Sequence, residues 1–201
     1  MASLCTSTQF FSLIFLATLV CSSASTHRNL FQVATNKFIL SSCRATRFPA
    51  ACYRSLGCHA REVQRSPRRL AHAALSVSLD QALSTCALIS KLKVMNKGSM
   101  THWEIGAMGD CIENVGESIY LTKQSLKEME DLGSTNWGML MSDLQTWVSA
   151  ADTCMDGFAG GTMNGLLKQD IRSSIEGLAQ MTSNALDFIN RLSNTRQGTL
   201  P

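Results

Sequence analysis

Residues 105–158 read IGAMGDCIENVGESIYLTKQSLKEMEDLGSTNWGMLMSDLQTWVSAADTCMDGF. This stretch carries two helical patterns of the same period, with a cysteine in each. In the first, Ile105, Met108, Ile112, Val115, Ile119, Thr122, Leu126 and Met129 recur at alternating steps of three and four, which makes a heptad seam. In the second, Trp137, Leu140, Leu144, Trp147, Ala151, Cys154 and Phe158 do the same. Between them, Asp131-Leu132-Gly133-Ser134 supplies a glycine stop and a serine start. The reading is two antiparallel helices. Cys111 lies one residue before a seam position and Cys154 lies on its seam, so both thiols can face the space between neighbouring helices. A disulfide there is sterically plausible. Residues two and six places after Cys111 lie about 200° and 240° around the helix, which puts Glu113 and Glu117 on the water side. The same offset from Cys154 puts Asp156 outside. The plainer reading of these carboxylates is the solvated face of an amphipathic helix.

Working outward, residues 1–24 combine a polar start, the apolar run Phe10 to Val20 and small residues ending Ser22-Ser23-Ala24. That is the pattern of a secretory signal peptide, too short for a comfortable membrane span. No second run of about 18 apolar residues follows, so the mature chain is expected to be secreted and free of the membrane. Aromatics are 6% of the chain, while Met, Leu, Ala and Ser are plentiful, which suits packed helices better than a β-sandwich. The formal charge of +3 is mild and argues against a nucleic-acid partner.

Residues 29–60 read as two short helices with a turn at Thr46 to Pro49, and a local bridge between Cys43 and Cys52 would pin that hairpin shut. Next comes a basic run: Arg44, Arg47, Arg54, Arg61, Arg65, Arg68 and Arg69 face Glu62 alone. It suits weak adhesion to an acidic polysaccharide of a cell wall, although a solvated linker and helix start is the simpler reading. Ser66-Pro67 opens a long helix on a Leu75, Leu79, Ala82, Cys86 and Ile89 seam, ending near Asn96-Lys97-Gly98. A last helix runs from about Leu166 to Ser193. The fold class is therefore all-α: an N-terminal helical hairpin (25–66) followed by an up-down-up-down four-helix bundle (67–201), acting together as one domain.

Eight cysteines are present, and Cys5 and Cys21 leave with the signal. The six that remain invite disulfides in an oxidising compartment, and counting alone does not choose among their pairings. Cys86 is expected to be a buried unpaired thiol, with Cys58 as its alternative partner. No Cys-x-x-Cys pair, nucleophile elbow, dinucleotide fingerprint or metal-binding His pair occurs, so no metal, cofactor or catalytic residue is expected. The glycine-rich run at 157–165 lacks the Gly-Lys-Ser/Thr of a phosphate loop.

Four segments in order carry a resemblance. They are Phe38 to Cys43 with Cys52-Tyr53-Arg54-Ser55-Leu56; Gly109-Asp110-Cys111-Ile112-Glu113-Asn114; Gln145 to Phe158; and Leu178 to Leu186. Together they resemble the plant invertase and pectin methylesterase inhibitor family over nearly all of the mature chain. The resemblance implies a hairpin closed by Cys43 and Cys52, and a bundle in which Cys111 and Cys154 tie the second helix to the third. It also implies a non-catalytic inhibitor that covers the substrate cleft of cell-wall pectin methylesterase in a one-to-one complex. Carried over by position, the partner-binding residues are Glu113, Glu117, Thr153 and Asp156. The family's further acidic position, nine after Cys111, is Tyr120 here. Acid invertase is the alternative partner, but the Pro-Lys-Phe loop of invertase inhibitors is replaced by Ala159-Gly160-Gly161-Thr162-Met163-Asn164-Gly165. A non-inhibitory pectin-binding wall protein is a second alternative. The expected place of action is the apoplast.

Overall fold

The structure, a computed structural model, describes residues 31–130, 138–146, 154 and 165–197. Regular structure among them is entirely helical. Helix α1 covers residues 31–43. α2 (Pro49–Leu56), a single 3-10 turn (Gly57–His59) and the short α3 (Ala60–Val63) complete the hairpin. Long helices follow: α4 (Pro67–Asn96), α5 (His102–Glu130) and α7 (Gly165–Gln197), and between the last two the described residues 138–146 are helical, here α6. At 1.5 Å per residue, α4 and α5 each run about 45 Å.

Local signals fix where these helices start. The Ser66 side chain accepts the Arg69 N–H and Pro67 occupies the first turn, so α4 begins where its orphan donors are satisfied. Thr101 and Glu104 form a reciprocal capping box on α5. The Thr101 N–H donates to Glu104 Oε2 at 2.8 Å, and the Glu104 N–H donates to Thr101 Oγ1 at 3.2 Å. Between α3 and α4, Gln64 (φ 48°) and Arg65 (φ 60°) both adopt left-handed backbone, turning the chain sharply into α4.

Two apolar clusters define the topology. One joins Ile39, Cys52, Leu56 and Val63 of the hairpin to Leu70 and Leu75 of α4, Met129 of α5, Leu140 and Leu144 of α6, and Phe188 and Ile189 of α7. The other joins Ala82 and Ile89 of α4 to Met108, Cys111 and Val115 of α5, to Cys154, and to Ile171, Ile175 and Leu178 of α7. The start of α4 thus meets the ends of α5 and α7. Leu140 and Leu144 belong to the first cluster and Cys154 to the second. Between the clusters lies a layer of small buried hydroxyls, Ser78, Ser118, Thr122 and Thr182. Each donates back to the carbonyl four residues earlier, at 2.8–3.0 Å.

The α5 seam differs from its sequence pattern. Met108, Val115, Thr122 and Met129 are buried as expected, but their buried companions are Glu104, Cys111, Ser118 and Ser125. Ile105, Ile112, Ile119 and Leu126 are only half-buried. The helix is rotated toward its small-residue side, because Cys111 meets Cys154 there at a Cα–Cα distance of 4.9 Å. Small hydroxyl side chains allow α5 to lie close to its neighbours, and the isoleucines pack from the rim. Cys111 therefore sits on the seam itself.

In the hairpin, Cys43 is bridged to Cys52 with their Cα atoms 5.6 Å apart. Cys58 and Cys86 are both free. The alternative Cys58–Cys86 pairing is not formed: Cys58 is exposed on the 3-10 turn with its thiol directed to the Ser55 carbonyl. Cys86 is half-buried rather than buried, since the α4 core face turns through Ala82, Thr85 and Ile89.

Candidate functional site

With Cys111 held inward, the opposite side of α5 is fixed. A stripe at three- and four-residue steps, Asp110, Glu113, Glu117 and Tyr120, is exposed, and Tyr120 is 61% accessible. Gln124 extends the stripe one turn, its Nε2 donating to the Tyr120 hydroxyl at 2.6 Å. Neither Glu113 nor Glu117 is paired with a cation among the described residues. Two carboxylates one turn apart on a helix tied at both clusters make a rigid acidic surface, suited to pairing with cations of another macromolecule.

Of the sequence-predicted partner residues, Glu113 and Glu117 share this stripe. Thr153 and Asp156 lie outside the described residues, while Cys154 between them in sequence is buried. Chemistry of other kinds has little to work with. Among the described residues no group of three His, Cys, Asp or Glu is placed to hold a metal ion. A cavity of about 220 Å³ between α1, α4 and α7 is lined by Phe38, Leu70, Phe188 and Leu192, with Arg191 its one charged group. It offers no carboxylate or imidazole to act as a base.

Sequence reading missed the clamp that seats the hairpin on the bundle. Asn184, 2% exposed on α7, accepts the Phe48 N–H at 3.0 Å and donates to the Phe48 carbonyl at 3.1 Å. One turn on, Asp187 Oδ2 accepts the Arg47 N–H at 2.8 Å. The Arg191 guanidinium then donates to the carbonyls of Ser42 and Ala45. Asn184, Asp187 and Arg191, at helical spacing, interrupt the apolar packing of Ala185, Phe188 and Ile189. That interruption was the available signal, but it does not say which backbone segment would fill it.

Comparisons with known proteins place the chain in a family. Residues 37–188 match the family described as plant invertase/pectin methylesterase inhibitor. "Pectinesterase inhibitor 11" of Arabidopsis thaliana is 38% identical, the match covering 91% of this chain and 94% of that protein. The "21 kDa protein" of Daucus carota is 36% identical over 89% and 93% of the two chains. Among solved structures, a mutant form of a pectin methylesterase inhibitor from Arabidopsis superposes with a TM-score of 0.58 at 17% identity. That superposition covers 74% of this chain and 92% of the other, and it speaks to the fold alone. The chain belongs to the plant invertase/pectin methylesterase inhibitor family, and it is a non-catalytic inhibitor rather than an enzyme.

Proposed function

We propose that this protein inhibits plant cell-wall pectin methylesterase by laying the acidic face of its bundle over the substrate cleft in a one-to-one complex. The observation that carries the reading is the exposed Glu113 and Glu117 stripe on a helix whose inner face is stapled by Cys111. Full-length similarity to a pectinesterase inhibitor supports the choice of target. In this reading Thr153 and Asp156 extend the stripe from the neighbouring helix. Residues 1–24 direct secretion to the apoplast, and the hairpin (25–66) and bundle (67–201) act as one domain.

Titrating a plant pectin methylesterase with the mature chain across mildly acidic pH tests the reading, with acid invertase as the comparison. Stoichiometric loss of esterase activity is expected, and invertase should be unaffected. Glu113→Lys combined with Asp156→Lys is expected to weaken inhibition about tenfold or more without lowering the melting temperature. Undiminished inhibition by that double variant would remove the carboxylates from the interface.

A further inference from the structure

The formal charge of +3 conceals an uneven distribution. Residues 31–69 hold eight Lys or Arg and one Glu, a formal +7. Residues 70–201 hold nine Lys or Arg and fourteen Asp or Glu, a formal −5. Folding keeps the hairpin cations outside: Arg44, Arg47, Arg54, Arg61, Arg65 and Arg69 are all exposed. The one acid of this segment, Glu62, is 2.9 Å from His59 Nδ1. Asp187, which α7 presents to the hairpin, is occupied by the Arg47 N–H. Among the described residues Arg44, Arg54, Arg61 and Arg65 have no carboxylate partner. The carboxylates of Glu128, Glu130 and Asp143 at this end belong to α5 and α6.

Net charge in a small region produces a field reaching about a Debye length, roughly 10 Å at moderate salt. These arginines are spread over α2, α3 and the helix junctions rather than converging on a cavity. Such a layout fits an extended polymer with repeated anions better than one compact anion. Seven of the eight cations are arginine, whose planar fork matches a carboxylate through paired hydrogen bonds. We propose that the hairpin is a docking surface for a carboxylated polysaccharide, de-esterified pectin, separate from the acidic α5 face. The choice of polymer rests on the cell-wall reading above. De-esterified pectin is what pectin methylesterase leaves behind, so the hairpin would concentrate the inhibitor where the enzyme has already acted.

The test uses the mature chain and a variant carrying Arg54→Gln, Arg61→Gln and Arg65→Gln. Both are passed over immobilised polygalacturonate and over its fully methyl-esterified counterpart across a salt series, and mixed with phosphatidylserine vesicles. Wild type is expected to hold polygalacturonate at low salt, release it as salt rises and ignore the neutral polymer. The variant, melting at the wild-type temperature, is expected to bind about tenfold or more weakly while inhibiting the esterase as well as wild type does. Equal retention on the neutral polymer, unchanged retention of the variant, or vesicle binding as tight as polygalacturonate binding would each overturn the proposal. Retention without any esterase inhibition would refute the inhibitor reading and leave the docking surface standing.

Discussion

Replacing Asn184 by alanine should loosen the hairpin from the bundle. The side chain is buried and makes two hydrogen bonds to one backbone unit, at 3.0 Å to the Phe48 N–H and 3.1 Å to its carbonyl. Truncation removes both and leaves two polar groups without a partner in a part-buried position. Each such group costs about 1–3 kcal/mol, and the expected total is roughly 2–4 kcal/mol because water can reach part of the site. For a domain of this size that corresponds to a fall of roughly 5–15 °C in melting temperature. The loss should be concentrated in the hairpin. Hydrogen exchange of amides in α1 and α2 should accelerate more than exchange in α5, because a clamp acts on the unit it holds. Asn184→Asp keeps the acceptor for the Phe48 N–H but sets a carboxylate against the Phe48 carbonyl, so it should be no better than alanine. An Asn184→Ala protein that melts within about 0.5 kcal/mol of wild type, or that loses protection evenly over all helices, would refute the clamp.

Further predictions concern the cross-links, the α5 cap and the acidic face. Breaking Cys111–Cys154 with paired alanines should cost about 4 kcal/mol, and breaking Cys43–Cys52 about 3, because the closed loops differ in length. The order follows from sequence separations of 43 and 9, and denaturant titration of the two variants would reveal any reversal. Thr101→Ala should cost about 1–2 kcal/mol by opening the capping box: the buried Glu104 carboxylate loses the hydroxyl donor and keeps the backbone one, and the Glu104 N–H loses its acceptor; a thermal melt reads the loss. The charge reversal at Glu113 and Asp156 is the complementary case, expected to change inhibition and leave the melt alone.

The two disulfides act on different links of the argument. Cys43–Cys52 shapes the hairpin that α7 grips, whereas Cys111–Cys154 sets the rotation of α5 and with it which of its side chains are buried. A helix with an isoleucine-leucine seam beside a small-residue seam can roll between them, and a covalent tie to its neighbour is a direct way to choose one. Glu113 and Glu117 stand outside under either choice, and Tyr120 and Gln124 follow them at fixed helical spacing along the same stripe.

Periodicity along the chain determined the helical class, the start of α4 at Ser66-Pro67 and the outward placement of Glu113 and Glu117. These depend on neighbours three or four residues apart on one helix, and that spacing is written in the sequence. The capping box was legible in the same way, as Thr101-x-x-Glu104, but was not read. Tertiary structure alone decided that α5 buries Ser118 and Ser125 in preference to Ile119 and Leu126. It also decided that Asn184, Asp187 and Arg191 seat the hairpin. Both turn on which surfaces meet between segments apart in the chain, with separations of 43 for Cys111 and Cys154 and 136 for Asn184 and Phe48. A hydrophobicity pattern tells an inward face from an outward one, but it does not say which partner the inward face will find.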